Sequence, residues 1–259
     1  MAVVHKGEAT LFWEGVASCI KGVLYSVHAL FVILALYLVL GMNVNLTLLI
    51  IVVVFWKIMK YYIGKGKAFF HGSMGEYKVL QEFKNLPNEY HLFVGVRVHE
   101  RMESDLVIVG PSGVFLVEIK NYVGNIEGTA SDSHWILRKG RKHAKKLDNP
   151  LRQQKRNRFI VSQYLRMEGC SVWVESCTLF PNVNTTWSDG IPERCHRFAG
   201  TIMNGIREQE KKRKLPREIM QKAVDALDKC VYDYPPMTEE EFEREVQQQK
   251  EKQAKEHSN

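Results

Sequence analysis

The sequence predicts an α/β domain preceded by a helical hairpin that crosses a membrane. Short β-branched runs bounded by turn signals alternate with longer stretches of helical period in the later part of the chain. Residues 23–56 are almost free of charge, whereas residues 57–259 carry nearly all of it. The length of 259 residues suits one soluble domain with accessory segments.

Two apolar runs, residues 23–40 and residues 46–56, form the predicted transmembrane hairpin. A helix needs about 20 mainly apolar residues to span a bilayer, and the second run reaches that length by continuing to Ile63. Lys57 and Lys60 can then extend toward the lipid headgroups. A signal peptide and a pair of buried core helices are the alternatives. The second apolar run, so soon after the first, favours the two-helix anchor.

Lysines flank the outer ends of this pair, whereas the connecting loop contains no Lys or Arg. By the positive-inside rule, the sequence predicts a two-pass membrane protein whose termini and soluble domain are cytoplasmic. The five cysteines are an odd number without a C-x-x-C pair, which fits reduced thiols in that compartment.

The predicted domain boundaries follow composition. Residues 64–67 contain two glycines and are interpreted as a flexible exit from the membrane. The segments are a cytoplasmic N-terminus (1–22), two transmembrane helices (23–63), a soluble domain (64–200), a helical extension that packs on it (201–235) and a polar tail that is either a solvated helix or frayed (236–259).

The soluble part is organised around the stretch DLVIVGPSGVFLVEIKN, residues 105–121. Two apolar strands, residues 106–109 and 114–119, flank the turn Gly-Pro-Ser-Gly, which is a strong hairpin signal. Pairing Val109 with Val114 would place Asp105 opposite Glu118.

Two opposed acids make this hairpin a candidate site. Directly opposed residues lie roughly 5 Å apart between Cβ atoms, and opposed like charges are destabilising. Asp105 and Glu118 therefore need a cation between them or a shared proton. Lys120 projects from the same strand face as Glu118 because it lies two residues further on. An acid pair and a lysine on one face are compatible with a metal-dependent hydrolytic site.

The elements on either side are predicted from periodicity. A helix follows Glu76 and ends at Pro87, and Glu76 would cap its first turn. Gly124 to Gly128 is interpreted as a turn and residues 138–146 as a basic loop. The remaining elements are strands at 90–98, 133–137 and 171–180, a helix after Asn149-Pro150 with an inner side of Leu151, Phe159, Ile160, Tyr164 and Leu165, and a helix at 217–232 that buries Ile219, Met220, Ala223, Ala226 and Leu227.

The stretch from Arg138 to Arg158 contains ten Lys or Arg residues and a single acid, Asp148. A net charge of +7 favours anionic partners, either nucleic acid or an anionic lipid surface. A charge-rich solvated face is the other interpretation. The candidate nucleic-acid-binding residues are Arg138, Lys139, Arg141, Lys142, Lys145, Lys146, Arg152, Lys155 and Arg156.

Taken in order, the motifs G-x-x-G-E (residues 72–76), Asp105, G-V-F-x-x-E-x-K-N (residues 113–121) and N-P-x-x-Q (residues 149–153) resemble the nuclease-related domain called NERD. The spacing D-x12-E-x-K is similar to the core of the PD-(D/E)xK nuclease superfamily. E-x-K alone is a weak signal, whereas the ordered set is specific. The resemblance covers roughly residues 70–165.

The resemblance implies a restriction-endonuclease-like mixed sheet flanked by helices, and a metal-dependent nuclease acting on DNA. It implies that Mg²⁺, with Mn²⁺ as an alternative, binds Asp105, Glu118 and the carbonyl of Ile119. Lys120 would orient water or stabilise developing charge. Glu76 and Gln153 complete the implied catalytic set. Glu76 would act through a water or a second metal, and Gln153 would position substrate or a ligand.

Two other functions fit the same residues. The fold can serve as a non-catalytic module that binds nucleic acid at the membrane, because family resemblance predicts a fold better than it predicts turnover. The basic stretch can also bind anionic lipid in a membrane scaffold.

Overall fold

The computed structural model describes residues 1–6, 10–40, 44–100, 102–140, 143–232 and 237–256. The chain forms two compact units. One consists of Glu8–Met74, and the other combines Met1–Gly7 with Gly75–Asn259.

The unit Glu8–Met74 contains helix α1 (Thr10–Leu40) and most of helix α2 (Val44–Phe83). Both helices are long and apolar enough to cross a membrane by length and composition. The apolar side chains of α1 are largely exposed, among them Leu24, Phe31 and Leu38, as a lipid-facing surface would require. The predicted connecting loop falls mainly on residues 41–43, which lie outside the described residues.

Residues 64–67 are helical, so the predicted flexible exit is wrong. A glycine inside a helix costs about 1 kcal/mol relative to alanine, and two such costs do not outweigh the helix formers on either side. The helix continues to Phe83, four residues before Pro87.

In the other unit, the described residues form two sheets and four further helices. The strands in chain order are β1 (Val3–Lys6), β2 (His91–His99), β3 (Met102–Gly110), β4 (Gly113–Ile119), β5 (Gly124–Glu127), β6 (His134–Lys139), β7 (His143–Asp148), β8 (Val174–Leu179), β9 (Thr185–Trp187) and β10 (Cys195–His196). The helices are α3 (Pro150–Met167), α4 (Ala199–Lys212), α5 (Arg217–Tyr232) and α6 (Glu239–Glu256).

The larger sheet has six strands in the order β1-β2-β3-β4-β8-β10. Strand β3 runs antiparallel to β2 and β4, whereas β8 runs parallel to β4, so the sheet is mixed. Residues Val107 and Val109 pack under α3 and α5, whereas Leu106 and Ile108 pack against the end of α2 and α4. Helices therefore flank both faces, and the predicted α/β fold class is confirmed.

The second sheet corrects two predictions. Residues Gly124–Glu127 form strand β5 instead of a turn, and the basic loop is the β6–β7 hairpin. Its order is β7-β6-β5-β9. Trp135 pairs with Leu147, and both are buried together with Leu137, so these apolar side chains anchor a hairpin whose described Lys and Arg side chains are exposed.

The helix predictions hold in outline and fail in detail. Ile160, Tyr164 and Leu165 of α3 are buried as expected, but Phe159 is 53% exposed. The polar tail contains helix α6, whose Phe242 is buried against the main core. Thr238 and Glu241 form a capping box at its start, with Thr238 N donating to Glu241 Oε2 over 2.9 Å.

Strand β1 was absent from the sequence prediction. It lies parallel to β2, with Val3 opposite His91. The His5 side chain contacts both Asp228 Oδ1 (2.6 Å) and His91 Nδ1 (3.0 Å). The first residues of the chain thus belong to the same sheet as the β3–β4 hairpin.

Candidate active site

The β3–β4 hairpin has the register that the sequence predicts. Val109 pairs with Val114, and the ladder runs from Gly110–Gly113 to Leu106–Val117. Asp105 and Glu118 are the next residues beyond Leu106 and Val117, at the open end of the hairpin. Gly110 pairs with Gly113 and Pro111 and Ser112 are the central turn residues, so the predicted four-residue turn is confirmed.

Beyond the last backbone pair of the β3–β4 ladder, the Asp105 side chain makes the next contact between the two strands. Its Oδ2 accepts a hydrogen bond from the backbone N–H of Ile119 over 2.6 Å. Burial raises the pKa of Asp105 well above its usual range, and the negative charges of Glu118 and Glu76 raise it further, against the opposing effect of Lys120. The two acids that the register predicts as neighbours, Asp105 and Glu118, therefore repel each other at this end of the sheet.

Glu118 is almost fully buried, with 4% of its side chain exposed. Its Oε1 accepts hydrogen bonds from Lys120 Nζ (2.5 Å) and from Gln153 Nε2 (2.7 Å). Burial lowers the pKa of Lys120, but the carboxylates of Glu118 and Asp105 outweigh that effect and raise it overall. Lys120 therefore carries its positive charge at neutral pH.

The backbone around Lys120 is fixed on both sides. The Ile119 N–H binds Asp105, and the Lys120 N–H donates to the Leu179 carbonyl of β8 over 2.9 Å. The peptide that carries the Ile119 carbonyl is therefore held between two hydrogen bonds, which suits a backbone atom expected to act as a ligand.

Gln153 reaches Glu118 because of how α3 begins. Asn149 is its N-cap, and Asn149 Oδ1 accepts from the Leu151 N–H over 2.9 Å. The Asn149 amide also donates to the Asp132 carbonyl over 2.6 Å, which ties the cap to the preceding loop. Pro150 occupies the first helical position, where its missing N–H costs nothing. The motif N-P-x-x-Q thus determines where the helix begins and places Gln153 of its first turn within hydrogen-bond distance of Glu118.

Gly75 and Asn121 bring α2 to the same place. A Cβ on Gly75 would lie 2.9 Å from the Cβ of Asn121, closer than real contacts allow, so only glycine fits there. Asn121 Oδ1 in turn accepts from Asn182 Nδ2 over 3.0 Å. This close approach explains the glycine in G-x-x-G-E and places Glu76 near enough to raise the pKa of Asp105.

The donor set at this end of the hairpin is chemically suited to a hard divalent cation. Two carboxylates and a backbone carbonyl offer oxygen ligands, and the mutual repulsion of the acids would be relieved by a positive ion. Among the described residues, no group of three or more His, Cys, Asp or Glu side chains is arranged to hold a metal. Asp105 and Glu118 could supply two acidic ligands, and Mg²⁺ usually keeps several waters beside such a pair.

Comparison with known proteins supports the resemblance seen in the motifs. Residues 71–181 match the family model of the nuclease-related domain, NERD. The match begins in α2, ends just after β8, and contains all five candidate catalytic residues. The searches of curated proteins and of solved structures returned no match.

The basic residues of the NERD-matching segment do not share one surface. On the β6–β7 hairpin, Arg138 and Lys146 lie on one face, whereas Lys139 and Lys145 lie on the other. All four are exposed, and Arg138 Nε binds Glu127 Oε1 over 2.6 Å. The candidates Arg141 and Lys142 lie outside the described residues.

The remaining three basic candidates lie together on α3. Arg152, Lys155 and Arg156 are exposed, and Arg152 lies three residues before Lys155 and four before Arg156, so they share a helical face. Arg152 Nη2 also reaches the Ser131 carbonyl at 3.5 Å. These residues are close in sequence to Gln153, which binds Glu118 directly.

A buried polar pair, Gln154 and Thr178, lies next to Glu118 and was not predicted from the sequence. Thr178 of β8 lies opposite Glu118 in the parallel ladder, and Gln154 Nε2 donates to its hydroxyl. Both side chains are buried. The signal was present as polar residues at buried positions of α3 and β8, but the two partners come from different parts of the chain.

Proposed function

We propose that this chain is a membrane-anchored, metal-dependent nuclease that hydrolyses phosphodiester bonds in DNA. The observation that supports this most is the arrangement of Glu118, which is buried and held by both Lys120 and Gln153 next to Asp105. This arrangement lies within the segment that matches the nuclease-related domain.

Asp105, Glu118 and the Ile119 carbonyl would hold Mg²⁺ or Mn²⁺. The ion would supply Lewis-acid chemistry, making water more acidic and reducing the negative charge of a phosphate oxygen. Gln153 would keep the Glu118 carboxylate in the orientation that ligation requires, because its amide binds one of the two carboxylate oxygens.

Lys120 would act on the substrate side of the acid pair. Its raised pKa keeps it a protonated ammonium, which has three hydrogen-bond donors. One donor binds Glu118, and the others are suited to orient a water or to stabilise the negative charge that develops on a phosphate oxygen. Glu76 would contribute through a water or a second metal ion.

The anchor would be a two-pass hairpin with both ends in the cytoplasm. Strand β1 precedes α1 and pairs with β2, which follows α2. If α1 and α2 both cross the bilayer, the chain must therefore enter and leave on the same side. The lysines at both outer ends favour the cytoplasmic side.

Cleavage by the full-length chain in detergent micelles tests this proposal. Linear, nicked and single-stranded DNA would be incubated with Mg²⁺ or Mn²⁺, with and without a chelator. We expect metal-dependent cleavage that Glu118→Gln and Lys120→Ala reduce by about 100-fold or more, because a preorganised electrostatic group is typically worth that much. Glu218→Gln is the matched control, since its side chain on α5 is 79% exposed.

Salt-sensitive DNA binding that survives Glu118→Gln, without cleavage by the unsubstituted chain, would contradict the nuclease and favour the non-catalytic binding module. Binding to anionic vesicles in preference to DNA would favour the lipid scaffold instead.

A further inference from the structure

We propose that the exposed face of α3 binds a single strand of nucleic acid, with Phe159 as the surface on which an unpaired base stacks. This inference rests on the proposed nuclease function and names the class of substrate: single-stranded DNA or an unpaired end.

Helix α3 begins at the candidate active site, and all of its charged side chains are basic. Its first turn contains Gln153, which binds Glu118 over 2.7 Å. The helix contains five Lys or Arg residues and no acid. Such a helix attracts a polyanion, and the sugar–phosphate backbone of nucleic acid is the polyanion that the neighbouring site would act on.

Phe159 lies among these basic residues on the exposed side of the helix. It is three residues after Arg156, four after Lys155 and seven after Arg152, and these spacings define one helical face. It is 53% exposed, although the next residue, Ile160, is buried in the core. A single exposed apolar residue is common on protein surfaces. Phe159 is significant because it lies in a row of basic side chains that can bind phosphate.

The distances fit a strand that passes from the active site along α3. Phe159 lies six positions after Gln153, which is about 9 Å along a helix at a rise of 1.5 Å per residue. At the duplex rise of about 3.4 Å per nucleotide, this length corresponds to two or three nucleotides, and to fewer in an extended single strand. Arg156 lies midway between them, three residues from each.

The chemistry of phenylalanine selects an unpaired base. Its ring has no hydrogen-bonding group, and stacking of its π face on a base is the contact by which it would bind a nucleotide. Base faces inside a duplex already stack on their neighbours, whereas those of a single strand are available, and a row of basic and aromatic side chains is the usual means of binding them.

Binding of full-length protein to a fluorescent single-stranded oligonucleotide, and to its duplex, tests the proposal. The measurement would be made in detergent with chelator present, so that its outcome does not depend on cleavage. We expect Phe159→Ala to weaken single-strand binding about 5- to 150-fold, the range for loss of one stacked base. Duplex binding should change less than about twofold, and Phe159→Tyr should retain single-strand affinity.

Phe198→Ala is the matched control, because Phe198 is 65% exposed and lies outside α3. Arg156→Ala should lower the salt dependence of binding, whereas Phe159→Ala should leave it unchanged because the ring is neutral. Equal losses on single-stranded and duplex DNA, or no loss on either, would overturn the proposal. So would a selective loss of binding to phosphatidylglycerol vesicles, since α3 would then be a lipid-binding face.

Discussion

The β3–β4 and β6–β7 hairpins are both antiparallel, but they place their charged residues in opposite environments. All seven residues of β4 are buried, including Glu118, whereas Leu147 is the single buried residue of β7. Glu118 is bonded to Lys120 and Gln153, whereas Lys145 and Lys146 extend into solvent.

This difference determines what each charge does. Buried charges interact strongly because the surrounding dielectric constant is low, and they must be paired or neutralised. Exposed charges at the surface are screened over about 10 Å at ordinary salt concentrations. We therefore expect substitutions at the first hairpin to change both folding and chemistry. Substitutions at the second should change only the binding of an anionic partner.

The largest effect is expected from Lys120→Met, which keeps the length of the side chain and removes its charge. Glu118 and Asp105 would lose the cation between them, so the free energy of unfolding should fall by about 1–3 kcal/mol. This is below the value for a fully buried pair because 23% of the Lys120 side chain is exposed. The loss should shrink as the pH falls, since Asp105 can then take up a proton.

Denaturant titration followed by tryptophan fluorescence would measure this change. Lys214→Met is the matched control, because the Lys214 side chain is 73% exposed and its contact with Glu210 spans 3.8 Å. It should change the free energy of unfolding by less than about 0.5 kcal/mol. Equal effects of the two substitutions would remove the distinction between the hairpins.

A smaller effect of opposite sign is expected from Asp105→Asn. The folded protein raises the pKa of Asp105 above that of the unfolded chain, so between these values the native state holds more protons. The contribution of Asp105 to stability therefore falls as the pH rises through this range. The amide removes that penalty and keeps an oxygen for the Ile119 N–H.

In the absence of divalent metal, Asp105→Asn should stabilise the protein by about 1 kcal/mol at pH 7 and flatten the dependence of stability on pH. It should also abolish cleavage. Thermal unfolding at pH 4 to 8, with and without millimolar Mg²⁺, measures both expectations: the metal should stabilise the unsubstituted protein alone. Lower stability of the variant at pH 7 would show that the acid pair is not repulsive.

The smallest effects are expected from Lys145→Ala and Lys146→Ala. Their free energies of unfolding should stay within about 0.5 kcal/mol of the unsubstituted value, because both side chains are exposed. The two lysines are on opposite faces of the hairpin, so a strand bound on one face contacts only one of them. One variant should reduce the slope of log affinity against log salt by about 0.7, and the other should not. Equal reductions would mean that both faces bind.

Local pattern was sufficient where the sequence contained a regular alternation. The register of β3 and β4 follows from apolar residues on both faces and a compact turn, and the structure confirms it. Alternation was hidden in β5 by Gly124, which packs closely against Arg138 of β6, and in β7 by charged residues at exposed positions. The inner side of α3 was predicted too wide because hydrophobicity alone does not distinguish Ile160 from the exposed Phe159.

The sequence by itself determined the fold class, the pairing of the hairpin, the two apolar helices and the ordered motifs that contain the candidate catalytic residues. Only the tertiary structure decided which of these residues meet. Gln153 binds Glu118 across 35 positions of the chain, and His5 meets His91 across 86. Gly75 approaches Asn121 closely enough to exclude a Cβ. Contacts of this kind arise because packed helices and strands bring distant segments together, and no local periodicity records which segments will be neighbours.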